Sequence, residues 1–153
     1  MLKRQINAME QVARNAFGLH AETLSRVWYT KDYVYASDGS MVFRIKNDTG
    51  KVSNSVVPYP TKAMDQFFTE PDETSRDVQI NDEEKGRYKG FRLCQIGVDF
   101  YNVANIRKAY AILGKNVRGW EHRFLRYRGL HVYSDEGEAF ILPIRLYSES
   151  DLN

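Results

Sequence analysis

The chain carries one order of local patterns twice, and this repetition limits its fold more than any other feature of the sequence. Near the start, apolar side chains recur at helical spacing at Leu2, Ile6, Met9, Ala13, Ala16 and Phe17. Segments rich in aromatic and β-branched residues follow, between Arg26 and Lys46. Residues 103–147 repeat this order. The two periodicities predict a helix followed by a three-stranded antiparallel meander in each half.

The second half begins with a predicted strand, Phe91–Ile96, and a predicted helix. The apolar stripe of this helix consists of Val103, Ile106, Ala109, Tyr110 and Leu113. We expect Asp99 to cap the helix and Gly114 to end it. Three short strands are predicted near Trp120–Tyr127, Leu130–Ser134 and Ala139–Tyr147. Pro143 lacks a backbone donor and should therefore lie at a sheet edge or a strand end, which makes the closing strand a candidate docking surface.

The length of 153 residues predicts one domain, spanning residues 1–153. Its halves are approximately 1–68 and 77–147. The segment 69–90 is dense in charged residues and is expected to be a mobile loop or an exposed hairpin. The predicted class is α+β, with the helices on one face and antiparallel sheets on the other.

The overall charge sets bounds on the function. The formal net charge is +2, which allows a local basic face but not a polycationic nucleic-acid binder. Cys94 is the sole cysteine and lies in an apolar run, so it is interpreted as a strand residue. The sequence shows neither a secretory leader nor an apolar stretch of membrane-spanning length, and a cytoplasmic location is expected.

Catalysis finds little support. His20, His122 and His131 are far apart and lack metal-ligand spacing, and no phosphate-binding glycine loop or nucleophile elbow is present. Asp38 precedes Gly39, where a hairpin needs a turn former. We predict that the protein is not an enzyme and uses no cofactor or metal.

Three motifs resemble a known family. The first is Ala36-Ser37-Asp38-Gly39-Ser40 followed by a strand, and the second is Val57-Pro58-Tyr59-Pro60 with Phe67-Phe68. The third is the closing run Ile141-Leu142-Pro143-Ile144-Arg145-Leu146. In this order they resemble the bacterial-type DNA polymerase sliding clamps, the processivity factors of DNA replication. The chain is similar to a single clamp domain of that family.

The resemblance implies a DNA-clamp fold and a site for short peptides of DNA polymerase or repair proteins. The apolar pocket that it implies has two walls, which come from different domains in the family and in this chain could face each other only across a subunit boundary. One wall consists of Leu142, Pro143, Ile144, Arg145 and Leu146, and the other of Ser37, Gly39, Met41 and Val42. A family member has three such domains in one chain, so a ring of this chain would be a homo-oligomer of about six copies.

The polar faces of the two predicted helices indicate a second kind of surface. The residues expected to face DNA are Arg4, Asn7, Gln11, Arg14, Arg107, Lys108 and Lys115. Flexible basic side chains at helical spacing can follow a duplex backbone without reading bases. A solvated charged face with no ligand remains the alternative.

Two further functions remain open. Arg123, Arg126 and Arg128 alternate with Phe124 and Tyr127, a composition typical of single-stranded nucleic-acid binding. The chain could also be a protein-interaction module that keeps the clamp fold without encircling DNA.

Overall fold

A computed structural model of the chain describes residues 2–18, 20–53, 60–122 and 128–146, and of residue 122 the backbone. The helices in these ranges are α1 (Leu2–Arg14), α2 (Ala21–Leu24), α3 (Thr61–Asp65) and α4 (Val103–Leu113). The strands of the first half are β1 (Trp28–Tyr29), β2 (Tyr33–Ser37) and β3 (Met41–Lys46). The later strands are β4 (Ser75–Val78), β5 (Gly86–Tyr88), β6 (Phe91–Ile96), β7 (Asp99–Asn102), β8 (Arg118–His122), β9 (Leu130–Ser134) and β10 (Gly137–Ile141).

The predicted α+β class is confirmed. Each half has a helix followed by three strands, with the short helix α2 between α1 and β1 in the first half. The prediction that the helices lie on one face holds for α1 and α4 but not for α3, whose Met64 packs with Val42 on the other face. Seven strands form one sheet in the order β1-β2-β3-β10-β9-β8-β4, and every pair in it is antiparallel. Apart from β4, which has no counterpart beyond β1, the order is symmetrical about β3 and β10, the last strands of the two meanders. The halves therefore join through equivalent strands, and Phe43 lies opposite Ala139 at the centre.

The helices α1 and α4 pack against each other on one face of this sheet. They run antiparallel, because Gln5 Nε2 donates to the Ile112 carbonyl at 2.9 Å, while Lys108 Nζ donates to Gln11 Oε1 at 2.9 Å. The core beneath them combines both halves and includes Met9, Phe43, Ile45, Ile106, Leu113, Val132 and Ile141. Strand alternation places Val42 and Phe140 on the opposite face.

A smaller sheet, β5-β6-β7, precedes α4. The prediction that Asp99 caps α4 is wrong. Asp99 begins β7, whereas Asn102 is the cap, and its side-chain oxygen accepts a hydrogen bond from the Ala104 amide at 3.0 Å. The predicted strand Phe91–Ile96 has the bounds of β6, but the sequence pattern did not predict β7, which occupies Asp99–Asn102 and moves the start of the helix to Val103. Gly114 ends the helix as predicted, at φ 89°.

The predicted closing strand also differs from the structure. β10 ends at Ile141 and lies between β3 and β9, so its backbone is already paired on both sides. Pro143 follows the strand end, which agrees with its missing donor. Beyond it, the Ile144 amide donates to the Phe100 carbonyl at 2.8 Å and links the closing segment to β7.

The face opposite α1 and α4 carries aromatic side chains. Arg44 lies here between the rings of Tyr33 and Phe68, each 4.5 Å from the guanidinium carbon. Its nitrogens contact Glu138 at 2.7 Å and Asp65 at 3.0 Å. Burial alone would lower the pKa of Arg44, but these carboxylates raise it overall. The motif Val57-Pro58-Tyr59 lies outside the described residues.

None of the helices in the described ranges combines the length and the apolar character that a membrane span requires.

Candidate nucleic-acid interface

A groove of about 900 Å³ lies on the exposed side of the α1–α4 pair. Five of the seven residues predicted to face DNA line it, namely Arg4, Asn7, Gln11, Arg107 and Lys115. These residues come from both halves of the chain and are brought together by the antiparallel packing. We call this surface the helix face.

The other two predicted residues lie beside the groove. Lys108 reaches across from α4 to α1 through its hydrogen bond to Gln11. Arg14 is exposed on the last turn of α1, 3.7 Å from Glu10. Six of the seven residues lie on α1 or α4, whereas Lys115 follows Gly114, which ends α4, and is not placed by helical spacing.

Acidic groups reduce the net positive charge of the helix face. Asp82, Asp135 and Glu136 also line the groove. Asp82 accepts from Arg107 Nε at 3.2 Å, and Glu136 accepts from Gln5 at 3.1 Å. Three cations and three carboxylates therefore line the groove, and any attraction for a phosphate backbone must be weak.

Gln5 is a structural residue of this face that the sequence reasoning missed. Its side chain is 9 % exposed and bonds both to the Ile112 carbonyl and to Glu136. It ties α1 to the end of α4 and to the β9–β10 turn. Its position three residues after Leu2 and four before Met9 on the apolar stripe was the available signal.

The structure does not bring the predicted peptide pocket together as one surface. Met41 is 5 % exposed and faces the helix-side core, so its side chain cannot contact a peptide. Val42 points to the opposite face of the sheet, where it packs near Met64. Ser37 is also buried, and its hydroxyl donates to the Met41 carbonyl at 2.8 Å. Alternation along β3 separates residues that are adjacent in sequence.

A smaller part of the predicted pocket does assemble around the turn at residues 38–40. Gly39 has φ 97°, and the amide of Leu142 donates to the Ser40 carbonyl at 2.9 Å. Phe17 approaches the turn from α1, with its amide donating to the Asp38 carbonyl at 3.1 Å. The side chains of Phe17 and Leu142 are 61 % and 41 % exposed. We call these two side chains and the turn the turn patch.

The remaining wall residues lie along the closing segment. Pro143, Ile144 and Leu146 are half-buried, whereas Arg145 is exposed. Only the start of this segment contacts the turn, through Leu142; from Ile144 it follows β7 instead.

The residues proposed for single-strand stacking, Phe124 and Tyr127 with Arg123 and Arg126, lie outside the described residues. Arg128 is described and forms two hydrogen bonds with Asp99, at 2.7 and 3.1 Å. These bonds raise the pKa of Arg128. Arg128 is thus engaged in tying the start of β9 to β7.

Comparison of the chain with protein-family models, with curated proteins and with solved structures finds no match. The geometry described above therefore carries the functional argument.

Proposed function

We propose that the protein is a non-enzymatic, clamp-like module that contacts the backbone of duplex DNA through the helix face. The observation that carries this proposal is the antiparallel α1–α4 pair, which collects polar and basic side chains from both halves along one groove. Long side chains on such a surface can meet phosphates at many positions along a duplex without base readout.

The near balance of charges in the groove predicts the kind of binding. Few counterions are released when few phosphates are neutralised, so the affinity should be low and should fall as salt rises. Weak contacts spread over a groove suit a protein that moves along DNA better than one that holds a single sequence.

Fluorescence anisotropy with a labelled duplex, at about 50 and 200 mM salt, tests the proposal. Combined replacement of Arg4, Arg14 and Lys108 by Glu should abolish binding, because it turns the helix face acidic. The matched control replaces Lys31, Lys46 and Lys62, three exposed cations away from α1 and α4, by Glu. A helix-face variant that binds like the parent would contradict the proposal.

The turn patch supports a second role, the docking of a partner peptide. Two large apolar side chains remain exposed beside the turn at residues 38–40, and such side chains can anchor a short peptide. A peptide with two adjacent apolar anchors should bind with a Kd near 1 μM, about 8 kcal/mol.

Replacing Phe17 and Leu142 together by Asp tests this role, and Val52, which is also 61 % exposed, gives a control for Asp substitution. Calorimetry should show that binding is lost in the double variant and kept in Val52→Asp. Retained binding by the folded double variant contradicts peptide docking at the turn patch.

A further inference from the structure

The hairpin formed by β5 and β6 carries a denser positive charge than the helix face. Residues 85–92 read Lys-Gly-Arg-Tyr-Lys-Gly-Phe-Arg and contain no acidic residue. The four cations are all exposed, and Phe91 is 48 % exposed. We call residues 85–92 the ribbon.

The ribbon projects beyond the rest of its sheet. β7 pairs with β6 from Leu93 to Ile96, whereas β5 pairs with β6 from Phe91 to Leu93. Residues on the tip side of Leu93 therefore form a two-stranded extension. The tip is a two-residue turn, with Lys89 at φ 48° and Gly90 at φ 85°. Among the described residues, Lys89 is the one non-glycine residue with a positive φ, so the turn holds a cation where Asn or Asp would fit more easily.

The cross-strand register orders the ribbon's side chains. Arg87 lies directly opposite Arg92, so both guanidinium groups are on the same face. Glu84 partly offsets their repulsion, at 3.2 Å from Arg87 and 4.0 Å from Arg92. Tyr88 and Phe91 pair on the other face. One face of the ribbon therefore presents two guanidinium groups, whose forked N–H donors are well suited to phosphate oxygens.

The ribbon starts at the edge of the groove. Asp82 lines the groove and contacts Arg107 of α4, and Glu83 and Glu84 alone separate it from Lys85 in the chain. A ligand that lies along the helix face is thus close to the base of the ribbon. The major groove of B-DNA, about 12 Å wide, admits a two-stranded β-ribbon.

We propose that the ribbon is a second contact to duplex DNA. Arg87 and Arg92 bind backbone phosphates, and the tip, with Lys89, enters the major groove of the DNA. This inference rests on duplex DNA as the partner, but not on the helix face as the dominant contact. The ribbon's four cations are offset by the Glu84 carboxylate at Arg87 and Arg92, whereas the three cations that line the groove of the helix face meet three carboxylates. The ribbon therefore supplies the larger share of the salt-dependent attraction.

The first experiment measures affinity against salt for the parent and for a variant with Arg87, Lys89 and Arg92 all replaced by Ala. The slope of log K against log salt is negative, and each lost phosphate contact reduces its magnitude by about 0.9. In the variant the magnitude should therefore fall by about 2 to 3, and the affinity should fall about tenfold or more. The control replaces Lys31, Lys46 and Lys62 by Ala and should bind like the parent.

The outcomes separate this inference from the proposed function. A ribbon variant with parental affinity and slope overturns the ribbon contact and leaves the helix face as the contact. If the ribbon variant binds the duplex more weakly while the helix-face variant binds like the parent, the ribbon contact is supported and the helix-face contact is overturned. A parent that does not bind duplex DNA overturns both. Displacement of the duplex by polyglutamate at equal charge concentration would also overturn the ribbon contact, since it indicates unspecific attraction for anions.

A second experiment locates the tip directly. Cys94, the sole cysteine, is fully buried, so a Lys89→Cys variant carries one accessible thiol. Labelled there with a photoactivatable aryl azide, the protein should cross-link to duplex DNA. Lys62→Cys with the same label should not. Absence of a cross-link from position 89 under conditions where the protein is bound would overturn the proposal.

Discussion

At the scale of single residues, Tyr101 shows how burial constrains chemistry. Its side chain is fully buried, and its hydroxyl has no hydrogen-bond partner in the described structure. An unsatisfied buried hydroxyl costs about 1 to 3 kcal/mol. Tyr101→Phe removes that group without opening a large cavity, so the free energy of unfolding at pH 7 should rise by about 1 kcal/mol. Urea denaturation measures this, and a destabilised variant would contradict it.

The same residue predicts an alkaline loss of stability. Burial, with smaller contributions from the charges of Asp99 and Glu121, raises the pKa of Tyr101 well above its ordinary value. Above pH of about 10 the unfolded chain ionises this tyrosine while the folded protein does not, and unfolding is therefore favoured as pH rises. Stability measured from pH 8 upward should decline less steeply in Tyr101→Phe than in the parent. Equal slopes would show that Tyr101 is not responsible.

The contacts of Arg44 predict that its removal lowers the stability of the fold. It links α3 to the sheet through Asp65 and Glu138 and packs between two aromatic rings. Arg44→Ala should lower the free energy of unfolding by about 1 to 2 kcal/mol, a moderate value because both carboxylates are partly exposed. Lys46→Ala, an exposed position on the same face, is the control and should change stability by less than about 0.5 kcal/mol. Equal effects of the two substitutions would contradict the role of Arg44.

At the scale of elements, the cap of α4 can be tested directly. Asn102 accepts the Ala104 amide hydrogen bond, so Asn102→Ala should cost about 1 kcal/mol, whereas Asn102→Asp should keep most of the stability. Asp99→Ala removes the contact with Arg128 but not the cap. The two losses are expected to add in the double variant, since they belong to separate interactions. Thermal unfolding of the parent and the four variants measures this.

Features of the fold that depend on local sequence signals were predicted, whereas features that depend on long-range pairing were not. Helix stripes and turn residues such as Gly39 and Gly114 act over a few residues, and they predicted both helices and both meanders. The face on which Met41 lies depends on strand register, and the central place of β10 depends on pairing with a distant strand. These are long-range properties without a local sequence signal. Pro143 marked a strand end but did not show where the chain goes next.

The polar and basic residues on α1 and α4 were predictable because helical spacing is regular, whereas Lys115 lies beyond the end of α4. The ribbon was harder to predict. Its charged residues indicated an exposed segment, but the alignment of Arg87 with Arg92 results from a two-residue turn that places a lysine at positive φ. Lys-Gly is a weak hairpin signal compared with Asn-Gly.

At the scale of the whole molecule, the symmetrical sheet predicts that the two halves unfold together. The halves share the β3–β10 pair, the α1–α4 contact and one main core. An interface that contains the centre of the sheet cannot open without exposing the apolar residues of both halves, so a folded half beside an unfolded half is unfavourable. We therefore expect the two halves to unfold as one cooperative unit.

The chain's two tryptophans allow this to be measured, because each lies in a different half. Trp28 is in β1, beneath Arg26 at 3.9 Å, and Trp120 is in β8, stacked on His131 at 3.7 Å. Trp28→Phe and Trp120→Phe each leave one fluorophore, which reports on one half. In each variant, the urea midpoint from fluorescence should coincide with the midpoint from far-ultraviolet circular dichroism, although the midpoints of the two variants can differ. Separate fluorescence and dichroism midpoints within a variant would show that the halves are independent units and that the central strand pair does not couple them.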